Sequence, residues 1–239
     1  MRPIQVTPAI WQLPFSVGHV YLVRIPGGYA LIDTGVPGSA PQVLDALARL
    51  GARPQDVRQI VLTHSHIDHT GSAADLVEAT GARVLAGAAD AFVIRGLRPE
   101  PEATYTDAER VLNEQVMAGF AAAGIPPLRH VEVDVELRDG DVLDGWGESV
   151  RVLHVPGHTP GSVALHLPSS GVLFPGDNVA AAEGRVLLGP FNVARDEAVA
   201  SFRRLAELDV ETLCVPHGDP VMEGAGVLLK ASTPEKDWL

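Results

Sequence analysis

Nine residues, 63–71, constrain this chain more than any others; they read T-H-S-H-I-D-H-T-G. His64, His66, Asp68 and His69 fall close together, directly after the apolar run at 59–62. Core packing does not call for three imidazoles and a carboxylate side by side. A metal does, because imidazole nitrogen and carboxylate oxygen are ordinary ligands of zinc and its neighbours. A buried strand that ends in such a cluster sets it rigidly at a sheet edge.

The flanking pattern supplies the sheet. Strands are expected at 6–13, interrupted by Pro8, at 18–25 and at 29–35, with a Pro26-Gly27-Gly28 turn between the last two. Val43, Leu44, Leu47 and Leu50 recur at helical spacing, so 39–50 is a helix stopped by Gly51. The strand at 59–62 feeds the ligand cluster; a helix at 71–80, closed by Gly81, and a strand at 83–86 follow. This alternation predicts a layered α/β domain. In the second half, Val alternates with Glu and Asp over 131–137, a strand pattern, and 139–141 is a turn. Further strands fall at 150–155, 162–167, 171–174 and 211–215, with helices at 196–208 and 221–230. With no compositional linker, the expectation is one domain over 1–239, built from two packed sheets and outer helices.

Between the halves, 90–127 breaks the pattern. Residues 95–106 hold two prolines, four charged side chains and Tyr105 without a period. Residues 107–123 then read as one helix carrying Val111, Leu112, Gln115, Val116 and Phe120, capped by Thr106 or Asp107 and ended by Gly124. So long an insertion is either a lid or wall of a binding site or a helical elaboration that only packs on the domain.

Three later segments carry more potential ligands. His158 lies in V-P-G-H-T-P-G-S, Asp177 in L-F-P-G-D-N and His217 in C-V-P-H-G-D. Each follows an apolar strand and is flanked by Gly or Pro. Singly, each has an ordinary structural explanation. Together with the first cluster they make five imidazoles and two carboxylates, enough for two first-row ions with positions left for water. Asp33 ends a strand before Thr34-Gly35, where it either closes an Asx turn or orients a ligand histidine. His19, His130, His154 and His166 are left outside the site. Cys214 reads as a buried, inert thiol.

Composition narrows the partners. Thirty acidic against 18 basic residues give a net charge of −12, which opposes a phosphate backbone and argues against nucleic acid. No apolar run of about 18 residues exists to span a membrane. One cysteine allows no intrachain disulfide, and the opening residues lack a signal-peptide core, so a cytoplasmic location is expected. A small-molecule substrate is expected; the oligomeric state stays open, a homodimer included.

H-x-H-x-D-H, then G-H-T-x-G, G-D and a final P-H-G, preceded by Leu31-Ile32-Asp33-Thr34-Gly35, resembles the metallo-β-lactamase superfamily of hydrolases over nearly the whole chain. The resemblance implies an αββα sandwich, two mixed β-sheets flanked by helices, with a metal site at one edge. It implies that His64, His66 and His158 hold one ion, that Asp68, His69 and His217 hold a second, and that Asp177 bridges them. Asp33 would support a ligand, and Asp68 or Asp177 would move protons. The implied cofactor is two divalent ions, zinc first, with iron or manganese as alternatives. The implied activity is a metal-bound hydroxide attacking an ester-like bond, thioester or lactone, in the manner of the glyoxalase II-like branch. A mono-iron sulfur dioxygenase and a phosphodiesterase of the same superfamily are the alternatives. Two features set the chain apart. It closes 22 residues after His217, without room for the helical domain that glyoxalase II-like thioesterases use for glutathione. Asn178-Val179-Ala180 follows Asp177 where some lactonases place a tyrosine, so Tyr105 is the residue that would have to reach in.

Overall fold

The computed structural model describes residues 2–238. The chain runs β1 (Ile4–Thr7), β2 (Ile10–Leu13), β3 (Val20–Ile25), β4 (Gly28–Ile32), α1 (Ala40–Arg49), β5 (Val57–Leu62), α2 (Ile67–Thr70), α3 (Ala73–Thr80), β6 (Arg83–Gly87), α4 (Ala91–Ile94) and α5 (Asp107–Ala123). The second half holds β7 (Val135–Leu137), β8 (Val142–Leu143), β9 (Val150–His154), β10 (Val163–Leu167), β11 (Val172–Phe174), β12 (Val179–Ala182), β13 (Arg185–Leu188), α6 (Arg195–Ala206), β14 (Thr212–Leu213) and α7 (Ala225–Ala231).

The layers are those expected. One sheet has seven strands in the order β1 to β7, antiparallel as far as β4 and parallel from β4 onward. The other has five, β14-β11-β10-β9-β8, antiparallel except for the β11–β14 pair. Tyr21, Val23, Ile32 and Val61 of the first sheet meet Val152, Leu165 and Phe174 of the second in a shared core. Their alternating partners face outward: Leu22, Leu31 and Ile60 pack on Val43, Leu47 and Leu76 of α1 and α3. On the far side Ala164 and Leu173 pack on Phe202, Leu205 and Leu229 of α6 and α7. Period-2 strands with two apolar faces thus produce helix, sheet, sheet, helix. Cys214 is buried in the inter-sheet core, which pushes its thiol pKa up, so it is inert as expected.

Local corrections are physical. The 6–13 segment is two strands, because Pro8 and Ala9 turn it into the β1–β2 hairpin. The Val/acid alternation at 131–137 yields a strand only from Val135, since the Asp134 carboxylate takes the Val84 N–H at 2.7 Å in place of a ladder carbonyl. The last helix starts at Ala225, not Val221, which instead bridges Leu213, and Gly224 turns at φ 68°. The hairpin β12–β13 forms a third, two-stranded sheet that the sequence reading did not anticipate.

Helix α5 is capped by Thr106: its hydroxyl accepts from Glu109 N while Glu109 accepts from Thr106 N, and Gly124 ends the helix in a left-handed conformation. Its packing differs from that of α1. Only Glu109 of α5 is buried, and Val111, expected on the apolar face, is 57% exposed. The apolar face that remains, Leu112, Val116 and Phe120, looks onto a cavity rather than onto a core.

Candidate metal centre

Every ligand candidate follows the end of a strand along one edge of the sandwich. His64 and His66 come after β5, His158 after β9, Asp177 after β11 and His217 after β14. The structure brings all seven together in two groups, His64, His66, His158 and Asp177, then Asp68, His69 and His217. Asp68 and His69 lie in the single turn of α2, which turns them away from the extended His66. Asp177 reaches across: Oδ2 lies 3.5 Å from His158 Nε2 and 3.1 Å from His217 Nε2, and Oδ1 lies 3.2 Å from His69 Nε2.

A polar chain sets the imidazole tautomers. The Asp33 carboxylate accepts from Thr63 N at 2.8 Å and from the Thr63 hydroxyl at 2.9 Å. A carboxylate can only accept here, so the Thr63 oxygen is left to accept from His64 Nδ1 at 3.0 Å, and the His64 Nε2 lone pair turns to the centre. Asp33 Oδ2, which takes the Thr63 hydroxyl, also faces His69 Nδ1 at 2.9 Å and turns His69 Nε2 toward Asp68 and Asp177. Asp33 holds φ 61°, a left-handed conformation that Asp tolerates, so local strain accompanies this double role. His66 presents Nδ1 inward and directs Nε2 to Glu100 Oε1 at 3.2 Å.

The result fits a cation. His64 Nε2 and His66 Nδ1 face each other at 3.1 Å, and His158 Nε2 lies 3.2 Å and 2.9 Å from them. Burial holds His64 and His158 neutral, His158 down to about 3. With His64 and His66 both turned as acceptors, their lone pairs oppose each other, and a small cation is the species both can accept. The second group is acidic: burial opposes charge on His69 and His217, yet Asp177 and Asp68 overcome it, and His217 rises to about 10. Asp177 Oδ1 and His69 Nε2 are buried without a hydrogen-bond partner despite their proximity. Orphaned donors and acceptors of this kind mark a place for something further. The residues present therefore fit two divalent ions.

Two contributors were missed from sequence. Asp90, 1% exposed at the start of α4, accepts from Ser65 N at 3.0 Å, the Thr159 hydroxyl at 2.6 Å and Gly161 N at 2.7 Å. It ties the His64–His66 loop to the His158 loop. Burial raises its pKa, against the pull of those three donors. Glu100 is the other; burial, then Asp90 and Asp68, push it up to about 7. The histidines left aside stay outside: His130 faces Ile94 O, His154 faces Pro160 O and His166 faces Asp209 O. His19 lies beside the His217 loop, its N–H on Pro216 O.

A Cβ on Gly161 would stand 2.2 Å from Asp90 N and 2.6 Å from Asp90 Oδ1. Overpacking of this kind costs about 1–3 kcal/mol. Gly161→Ala is therefore expected to lower Tm by roughly 3–10 °C, at about 2–4 °C per kcal/mol for a chain this long. A calorimetric Tm equal to the wild type would show that the junction yields.

Glu100, Tyr105 and Phe120 of the irregular segment line a cavity of about 820 Å³ whose floor is His66, Asp68, Asp177 and His217. Tyr105 stacks edge-on against Phe191 at 5.8 Å. Asn178, which follows Asp177, is buried and donates to Val155 O at 2.7 Å.

The chain belongs to the metallo-beta-lactamase superfamily, whose family model matches residues 13–217. A hydroxyacylglutathione hydrolase of Fuscovulum blasticum is 37% identical over 193 residues, which cover 80% of this chain and 58% of that relative. The chain thus spans under two thirds of that relative's length. The probable metallo-hydrolase YflN of Bacillus subtilis strain 168 is 28% identical over 235 residues, 91% of this chain and 86% of that one. Among solved structures, a HARLDQ-motif mutant of a Cronobacter sakazakii metallo-beta-lactamase superposes with a TM-score of 0.70 at 26% identity, over 91% of this chain and 81% of that one. Among the described residues no helix is long and apolar enough to cross a membrane.

Proposed function

We propose that this chain is a binuclear metal-dependent hydrolase that cleaves an ester-like bond, thioester or lactone, in a small molecule. The observation that carries the reading is Asp177, which lies within 3.5 Å of ligand candidates from both groups at the floor of the cavity. The sequence relatives named hydroxyacylglutathione hydrolase support it. Divalent ions held there, zinc first and iron or manganese as alternatives, supply Lewis acidity toward a carbonyl and acidify water to a nucleophile near neutral pH.

The chain's own residues do the rest. His64, His66 and His158 would hold one ion, and Asp68, His69 and His217 the other, with Asp177 within reach of both groups. Asp33, Thr63 and Glu100 keep the imidazoles in the tautomers this needs. Asp68 is the cavity-side carboxylate, its side chain 14% exposed. It takes the proton from the attacking water and returns it to the leaving atom. The segment 90–127 walls the cavity and keeps bulk water from the reacting carbonyl.

Chelation should abolish hydrolysis across a panel of thioesters, lactones and phosphodiesters, and two equivalents of zinc or manganese should restore it on the first two classes. Metal analysis should return two ions per chain. One iron per chain with oxygen uptake on a persulfide would select the sulfur dioxygenase alternative instead. Turnover confined to phosphodiesters would select the other.

A further inference from the structure

The cavity has a chemical bias of its own. Among the described residues lining it there is no lysine and no arginine. Away from the candidate metal ligands at the floor, the charged groups of its wall are acidic, Glu100 and Glu102. Leu112, Val116 and Phe120 of α5 supply one apolar side of its lining; Tyr105, Phe191 and Trp238 supply a second. The second side is fastened. Trp238 Nε1 donates to Leu188 O at 2.7 Å, and Trp238 O accepts from the Thr106 hydroxyl at 2.5 Å. The neighbouring Asp237 accepts from Leu188 N at 2.8 Å. The tail thereby ties the cap of α5 to β13 and holds the slot between the aromatic wall and the helix.

Resting on the hydrolase reading above, we propose that the slot takes the acyl portion of an uncharged substrate, a medium-length apolar chain. Thioesters on anionic carriers are rejected. A glutathione carrier brings two carboxylates and a net negative charge, and a nucleotide carrier brings phosphates. Neither finds a lysine or arginine on these walls to accompany its charge out of water, and the Glu102 carboxylate opposes both. The half-exposed face of α5 gives the converse: Leu112, Val116 and Phe120 have no core to pack on, so a bound chain is what removes them from water. The volume, about 820 Å³, suits a ligand of this size together with its carrier stub.

The test uses two S-octyl thioethers, which cannot be hydrolysed, one on N-acetylcysteamine and one on glutathione, titrated calorimetrically into the metal-loaded protein. The uncharged thioether should bind at least about tenfold more tightly. Shortening its chain should weaken binding by about threefold to fourfold per methylene. Phe120→Glu should remove that chain-length dependence, whereas Val111→Glu, on the solvent side of the same helix, should leave it unchanged. Equal or tighter binding of the glutathione compound, or no chain-length dependence in the wild type, overturns the assignment without any variant. The corresponding octanoyl thioesters separate the two readings. Hydrolysis that favours the glutathione ester defeats the slot and leaves the hydrolase standing. Selective binding of the uncharged thioether with no hydrolysis of any ester defeats the hydrolase and leaves the slot.

Discussion

Asp177→Ala is expected to lower kcat/KM on the responsive ester by about 10³-fold or more and to reduce the metal content below two ions per chain. Among the described residues, Asp177 is the one side chain with ion-pair contacts to His158, His69 and His217 together, at 3.5, 3.2 and 3.1 Å. A bridging carboxylate fixes the spacing of two ions and neutralises part of their charge, and the stabilisation at such a centre amounts to several kcal/mol. At 1.36 kcal/mol per factor of ten, about 4 kcal/mol is a thousandfold. Asp177→Asn keeps the shape and one donor oxygen but not the charge, so it should fall between. If the alanine variant retains two tightly held ions and wild-type kcat/KM, Asp177 does not bridge and the binuclear reading falls with it.

The ligand set was legible from sequence because each member sits in a short segment with its own signal. An apolar strand leads in, a Gly or Pro follows, and the imidazole or carboxylate stands at the end. His158, Asp177 and His217 obey that rule, His64 and His66 follow their strand directly, and the strand ends do meet at one edge. The sandwich was legible for the same reason, since two-sided apolar strands such as β3, β4 and β5 imply cover on both faces. What was not legible depends on contacts far apart in sequence. Asp33 was balanced between a turn and a supporting role until Thr63 and His69 were seen on its two oxygens. Asp90 drew no reading of its own beyond opening the segment that breaks the pattern; it stands at the start of α4, and its side chain serves residues 25, 69 and 71 positions away. Helix α5 had the right cap and the right period, yet period alone could not say that its apolar side faces a cavity. A second side comes from β13, Phe191 and the tail, brought there by Trp238 and Asp237.

Asp90→Ala is expected to destabilise the protein by on the order of 3–5 kcal/mol, because buried neutral donors lose the carboxylate that accepts from them. Three donors, Ser65 N, Thr159 Oγ1 and Gly161 N, lose their acceptor in a site where Asp90 is 1% exposed. Each buried group left unmade costs about 1–3 kcal/mol. A fall in Tm of roughly 10 °C or more follows. The same change should weaken metal binding by about 10–100-fold, the usual consequence of loosening a group that positions ligands. Asp90 touches no ligand donor atom; it acts by locking the loop of His64 and His66 against that of His158. Asp90→Asn separates the two effects. An amide oxygen can still accept from one or two donors, but its NH₂ faces the third, so stability should recover in part. Metal affinity should recover with it if both depend on the same junction. Cobalt or zinc titrations monitored below the Tm of each variant make the comparison. A variant that loses stability but binds metal as tightly as the wild type would confine Asp90 to the fold and free the ligand loops from it.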